Sequence, residues 1–482
     1  MSYRALIFVV SAVAGASGVA MLPAVITASI YQEWNDALLI GIAALVTAGV
    51  GFTGQRLSPR PGELSTREGF AAVGLSWFAL AAFGTLPYLF TGAIPSVTDA
   101  FFESAAGFST TGSSILADPS TLSHGILFWR SLTQWIGGMG IIVLSIAILP
   151  LLGVGGVQLA RAESPGPTPD RLTPRFSETA KRLWWLYMAF TLAETLLLWA
   201  GEMNLFDAIA HAFTTMSTGG FGTRADSMAG FSAYTQWVVI VFMFLAGVSF
   251  ALHFRSLRRP MEYVRNGEFR LYAFIAVAVT VVIVVGTLSG DTARSVREGV
   301  FVALSTMTTT GFGIVDYNQW SSALQILIVG LMFVGGMAGS TAGGVKTYRL
   351  GVLARASQAD LRRLIHPKGV FVTRFGKEAV SESIVESVQS FFLLYMFIFM
   401  TGTLLFGVFD SLLGADLGII TAATAVASAL GNIGPGLDVV GPVGNFASVP
   451  VPGKWLLAVL MIVGRLEIFP VVLLFTRELW RR

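Results

Sequence analysis

The chain is 482 residues long, 54% hydrophobic and only 12% charged, with a formal net charge of +3 and no cysteine. Together with a mean hydropathy of +0.71, this excludes an ordinary water-soluble domain and implies many bilayer crossings of ~20 residues each. Disulfides and thiolate metal sites are excluded as well.

The first two apolar runs, 5–30 and 37–55, read as a hairpin of two helices. Residues 14–20 resemble a signal-peptide cleavage region. A signal h-region is about 7–15 residues long, whereas this run stays apolar to Ile30, so a retained helix is predicted. Further spans are predicted over 70–91, 125–152, 183–200, 234–254, 271–290, 321–345, 388–409 and 455–476. Between them lie four segments, about 96–111, 204–219, 295–310 and 416–433, that are too short and too rich in small polar residues for ordinary spans. They fit re-entrant helices, which persist at membrane depth only when buried in protein or lining a cavity.

Each short segment ends in one signature. It is Ser109-Thr110-Thr111-Gly112, then Ser217-Thr218-Gly219-Gly220, Thr308-Thr309-Thr310-Gly311 and finally Gly431-Asn432-Ile433-Gly434. Thirteen positions upstream of the final glycines stand Asp99, Asp207 and Glu298, with Thr421 in the fourth copy. Four helix–turn–helix units in parallel order predict an all-α membrane protein, pseudo-fourfold about a central pore, with the N-terminal hairpin added. Glycine at the turn accepts positive φ, and the turn's carbonyls can replace the water around a small monovalent cation. The alternative, that small residues merely allow close helix packing, explains one copy but not four in equivalent places. An acid follows each turn, Asp118, Asp226, Asp316 and Asp438; these read either as a cation-attracting outer mouth or as ordinary solvated loop charge. The fourth turn, with Asn432, Ile433 and the stiff Gly434-Pro435-Gly436, makes the symmetry approximate.

Below the third turn runs Gly335-Gly336-Met337-Ala338-Gly339-Ser340-Thr341-Ala342-Gly343-Gly344, followed by Val345-Lys346. It imitates a phosphate-binding loop, but Lys346 comes one residue late and no strand precedes it, so nucleotide binding is rejected. Each glycine in a helix interior costs about 1 kcal/mol against alanine. The run therefore predicts a flexible break at mid-depth, serving as a gate or as a close packing site. In the last span Arg465 stands two residues before Glu467. A charge there costs at least ~2.5–3.5 kcal/mol, so Arg465 faces the protein interior, either as a positive charge near the ion path or in a buried pair with Glu467 or another acid. Arg130 reads as structural.

With the turns on one side of the membrane, all but Arg130, Arg224, Arg294, Arg297, Lys454 and Arg465 of the 31 Lys and Arg lie toward the other. The positive-inside rule makes that side and both termini cytoplasmic. The net charge thus reports topology and gives no support for nucleic-acid binding. Longer cytoplasmic connections are expected at 153–182, where 163–170 is proline-dense, and at 349–382, whose basic run around Arg362 and Arg363 suits lipid head groups or a docking partner. A secondary carrier would instead show inverted repeats and intramembrane acids, of which Glu194 is the main instance. A membrane enzyme would need a metal-ligand cluster or a nucleophile–base pair; His124, His211, His253 and His366 are scattered.

At the four turns, at Trp129-Arg130-Ser131-Leu132-Thr133-Gln134-Trp135-Ile136-Gly137-Gly138-Met139-Gly140, at the glycine run and at Gly464-Arg465-Leu466-Glu467, the chain resembles the Trk-type potassium uptake subunits, TrkH/TrkG, of the potassium transporter superfamily. The resemblance covers nearly the whole chain, N-terminal hairpin included. It implies potassium as the transported ion, no organic cofactor, and no catalytic residues. The implied filter is Thr110, Thr111, Gly112, Thr218, Gly219, Gly220, Thr309, Thr310, Gly311, Asn432, Ile433 and Gly434. The implied gate is Gly335, Gly336, Gly339, Ser340, Thr341, Gly343, Gly344 and Lys346 with Arg465. It also implies a homodimer in a bacterial inner membrane and a cytosolic, TrkA-like nucleotide-binding regulatory ring. The expected units are 1–62 for the hairpin, then 63–160, 161–262, 263–365 and 366–482.

Overall fold

The computed structural model describes residues 2–60, 62, 64–147, 174–288, 290–376 and 378–480. Segment 163–170, Arg161, Arg171 and the terminal Arg481 and Arg482 lie outside the described residues. The fold is mostly helical, with one two-residue antiparallel ribbon, Arg374–Phe375 against Glu378–Ala379. Among the described residues, six helices are long and apolar enough to cross a bilayer: Tyr3–Ile30, Trp34–Leu57, Thr66–Thr91, Glu178–Ala200, Gly267–Thr287 and Glu382–Leu413. Their outer faces expose large apolar side chains such as Leu45, Phe274, Val285, Leu393 and Leu404.

Four shorter helices, Val97–Phe108, Leu205–Met216, Thr292–Met307 and Gly418–Gly431, fall where re-entrant segments were expected. At 1.5 Å per residue, their 12 to 16 residues reach about 18–24 Å, short of the ~30 Å hydrocarbon core. The first three start at side-chain caps: Ser96, Asn204 and Asp291 each accept the backbone N–H three residues on, satisfying a donor that helix geometry orphans. These helices are largely buried, as their backbone-terminating ends require in lipid.

Three predicted spans are interrupted. Span 234–254 divides into Ala233–Ala246 and Phe250–Ser256, bent by 97°, and at the bend a Cβ on Gly247 would lie 2.4 Å from the Tyr272 hydroxyl. Span 321–345 stops at Met332, and the helix resumes only at Thr347. Glycines at positive φ, Gly335, Gly339 and Gly344, carry that break, as the glycine run predicted. Span 455–476 breaks after Arg465, where Glu467 (φ 54) and Ile468 (φ 68) turn the chain without any glycine. Connection 349–382 is more ordered than expected: helix Thr347–Ile365 occupies its first half and carries Arg362 and Arg363 in its last turn.

The N-terminal hairpin closes backbone to backbone. A Cβ on Gly51 would fall 2.4 Å from the Gly15 nitrogen, and one on Gly18 would fall 2.6 Å from the Ala48 nitrogen, the small-residue contact that lets membrane helices approach closely. Gly51→Leu is therefore expected to lower the thermal unfolding midpoint in detergent, since overpacking of this kind costs about 1–3 kcal/mol. Gly49→Leu, where nothing lies within 4 Å of an added Cβ, is expected to leave it unchanged.

Candidate functional site

The four signature turns share one backbone. In the first, the Thr110 N–H donates to Gly107 O at 2.9 Å, and the Thr111 and Gly112 N–H groups both donate to Ala106 O. Thr218, Gly219 and Gly220 repeat this pattern on Thr215 and Thr214, and Thr309, Thr310 and Gly311 repeat it on Thr306 and Ser305. In the fourth, Asn432 and Ile433 donate to Ala429 and Ser428 carbonyls, and the Gly434 N–H donates to the Ser428 hydroxyl at 3.0 Å. The final glycines take φ of 79°, 76°, 82° and 109°. Two residues earlier, Thr110, Thr218, Thr309 and Asn432 are also left-handed, at 53° to 58°. For a β-branched threonine this is an outlying conformation, three times repeated and invisible in the sequence.

The turns also meet in a cycle. A Cβ on Gly112 would lie 2.0 Å from Gly219 O, on Gly220 1.9 Å from Thr310 O, on Gly311 1.9 Å from Ile433 O, and on Gly434 2.9 Å from Thr111 O. First touches second, second third, third fourth, and fourth first. Hydrogen bonds tie every junction. Gln134 Nε2 donates to Gly219 O at 2.7 Å, and its Oε1 accepts from the Phe221 N–H. The Met228 N–H donates to Gly313 O at 3.0 Å, and the Tyr317 hydroxyl donates to Gly436 O at 3.2 Å. Between fourth and first, Asn432 Nδ2 donates to the Thr111 hydroxyl at 2.9 Å, and the Ser113 hydroxyl donates to Gly434 O.

The glycine break is bonded on all sides rather than loose. The Gly343 N–H donates to the Thr309 hydroxyl at 2.7 Å, and the Gly344 N–H donates to Gly431 O at 3.0 Å. The Thr341 hydroxyl donates to Met216 O, and the Met337 N–H donates to Gly247 O. Gly336 O accepts from the Thr347 N–H, the Gly339 carbonyl accepts from Phe250, and Ser340 donates to Met337 O. Lys346, at φ 77, turns its ammonium back onto Ala342 O. Arg465 is 2% exposed and donates to Thr341 O at 2.6 Å and to Gly137 O at 2.9 Å. Of the two readings of Arg465, the buried pair with Glu467 does not form; Glu467 pairs with Arg349 instead. Residues two apart do not face each other on a helix, and the chain leaves the helix between these two. Among the described residues Arg465 has no acidic partner at ion-pair distance.

Sequence reasoning missed two side chains. Glu103 is fully buried and accepts from Arg130 Nη2 at 2.7 Å, from the Ser114 hydroxyl and from the Ile115 N–H. Arg130 also donates to Gly222 O and lies 4.0 Å over the Phe221 ring, so this structural arginine locks the first two strands leaving the ring. An acid in the interior of one apolar segment and a lone arginine in the next apolar run was the available signal. Gln134 carried none. Of the acids after the turns, Asp118 and Asp316 cap single-turn helices, and Asp438 accepts from the Thr421 hydroxyl at 2.8 Å, so these three serve local structure.

The architecture is that of a multi-pass helical membrane protein built around a ring of backbone turns. The family model of TrkH, a cation transport protein, matches residues 40–481, and the chain belongs to that family. It is 40% identical over 431 residues to the Trk system potassium uptake protein TrkH of Salmonella typhimurium, covering 87% of each. The similarly named protein of Vibrio parahaemolyticus is 36% identical over the full length of both. A crystal structure of the potassium transporter TrkH from Vibrio parahaemolyticus superposes with a TM-score of 0.90 at 35% identity, covering all of both chains. These relatives are transport proteins, and this chain is a transport protein rather than an enzyme.

Removing one partner of a buried ion pair leaves the other charge uncompensated, at a cost of about 3–5 kcal/mol. Glu103→Ala is therefore expected to cut the yield of folded protein sharply, measured by size-exclusion profile and thermal midpoint in detergent. Glu103→Ala with Arg130→Met is expected to recover part of it.

Proposed function

We propose that this chain is the potassium-translocating subunit of a Trk-type uptake system, conducting through a four-part filter and gated by its intramembrane break. The single observation that carries the reading is the closed ring in which each turn's glycine receives a neighbour's carbonyl. Four short helices end at that ring, and helix C-termini carry about half a negative charge each, which favours a cation there. Dehydrating a monovalent cation requires several oxygens at once, and a ring of Thr110–Gly112, Thr218–Gly220, Thr309–Gly311 and Asn432–Gly434 supplies them. Potassium as the cargo follows the names of the relatives.

In this reading the units are 1–62, 63–160, 161–262, 263–365 and 366–482, with the ring opening outward and the basic loops and both termini in the cytoplasm of a bacterial inner membrane. The break from Gly335 to Lys346 closes the path beneath the ring, and Arg465 adds a positive charge to it. A homodimer, with a TrkA-like nucleotide-binding ring against the basic helix Thr347–Ile365, completes the assembly. No organic cofactor takes part.

Rubidium tracer flux into liposomes holding the purified protein, with sodium, potassium and pH gradients varied independently, tests the reading; no flux in any condition overturns it. Gly311→Ala and Gly311→Ser place a side chain where left-handed backbone costs roughly 1–2 kcal/mol and a carbonyl already sits at 1.9 Å. Each is expected to lower uptake several-fold or admit more sodium while the protein stays folded. Unchanged potassium affinity and sodium exclusion across Gly112, Gly220, Gly311 and Gly434 variants would remove the filter assignment.

Deleting part of 335–344, or Arg465→Ala, is expected to raise flux several-fold without any activator, at near-normal yield. Normal yield with unaltered basal flux in both would sink the gate.

A further inference from the structure

We propose that Arg349 and Glu467 form the latch that keeps the intramembrane break closed, acting as positioning residues for Arg465. This rests on the gate reading above and adds what holds the gate and where force enters it.

Helix Thr347–Ile365 starts immediately after the break. Two residues in, the buried Arg349 pairs through Nη2 with Glu467 Oε2, donates from Nη1 to Val345 O at 3.2 Å, and lies 4.0 Å over the Phe391 ring. Glu467 sits two residues past Arg465, at the start of two consecutive left-handed residues that include the β-branched Ile468. Such conformations are sparsely populated and persist only where their surroundings hold them. The Arg349 guanidinium is the one ion-pair partner of Glu467 among the described residues. The break is also tied to helix Gly267–Thr287: the Glu268 carboxylate accepts the Ala338 N–H at 2.7 Å and the Thr347 hydroxyl at 3.2 Å.

The charge balance gives the latch its direction. Lys346, Arg349 and Arg465 all act electrostatically on Glu467, and Glu268 acts on Lys346. Three cations thus share two carboxylates, while Arg465 itself donates its hydrogen bonds to the carbonyls of Thr341 and Gly137. Displacing helix Thr347–Ile365 by its exposed basic end, Arg355, Arg362 and Arg363, breaks the Arg349–Glu467 pair first. The turn at Glu467–Ile468 is then free to relax, and Arg465 loses the anchor that aims it at the break.

The test uses full-length protein in liposomes with rubidium tracer. Arg349→Gln removes the latch together with one cation, and a several-fold rise in basal flux is expected. In a protein lacking 335–344 the same substitution is expected to add nothing, because the gate it acts through is gone. Since the chain contains no cysteine, Arg349→Cys with Glu467→Cys places the only two thiols at the latch. Bridging them with a bifunctional thiol reagent is expected to return flux to the wild-type basal level, and reductive cleavage of the bridge to release it. A folded Arg349→Gln protein with wild-type basal flux overturns the latch, as does an equal rise in the deletion background. Where Arg349→Gln fails to fold, a bridged protein that conducts as freely as the unbridged one overturns it. A deletion of 335–344 that leaves flux unchanged is a failure of the gate reading itself and is recognised separately.

Discussion

At each junction of the turn ring, a backbone carbonyl of one unit occupies the space where the next unit's glycine would carry a side chain. This contact admits no atom larger than hydrogen, and it occurs at Gly112, Gly220 and Gly311 at about 2 Å from the absent Cβ. Because interiors are close-packed and yield little, the ring fixes the distance and rotation between all four units at once. The short helices must then end at that level, and the strands leaving the ring must run alongside one another, where Arg130, Gln134, Met228, Tyr317 and Ser113 join them.

Buried charge is handled in two contrasting ways. Arg130 meets Glu103 directly, with hydroxyl and backbone donors filling the remaining carboxylate positions, so the pair is satisfied and static. Arg465 meets only carbonyl oxygens, one from the break and one from helix His124–Ala147. The two carbonyls accept from Nη1 and Nη2 without cancelling the charge, Nε has no partner among the described residues, and in a low-dielectric interior an uncancelled charge acts at long range. The first arrangement suits a fixed joint. The second leaves a positive field that a small displacement can move.

Much of this was legible in the sequence. The repeated Thr-Gly turns, their spacing and the shortness of 96–111, 204–219, 295–310 and 416–433 locate the ring and its helices, because periodicity and glycine placement report backbone needs directly. The break after Met332 was likewise announced by five glycines between 335 and 344. The bends at Gly247 and at Glu467–Ile468 were not. One isolated glycine among 53 carries little information, and a turn made by Glu and Ile contradicts local propensity, being imposed by tertiary contacts such as the Arg349 pair. Pairings between distant residues, Gln134 with Gly219 or Glu103 with Arg130, depend on which helices the ring brings together. For the same reason the sequence could not decide whether Arg465 pairs with the nearby Glu467, which the fold gives to Arg349.

The fourth unit departs from the other three in a way that locates where motion can occur. Asn432, standing where the others have threonine, donates to Met461 O at 2.8 Å as well as to Thr111. Three residues on, a Cβ at Gly464 would meet Leu430 O at 2.0 Å. Helix Val451–Arg465 is thus joined closely to the fourth turn and its short helix almost to its last residue, so it cannot shift as a whole without disturbing the ring. Any movement of Arg465 has to arise beyond Gly464. The chain there consists of Leu466, Glu467 and Ile468, the stretch with non-glycine residues in left-handed conformations. A ring-bound helix whose last residue is followed at once by a left-handed turn concentrates its freedom to move at that place, just past the contacts by which Asn432 and Leu430 hold the helix to the fourth turn.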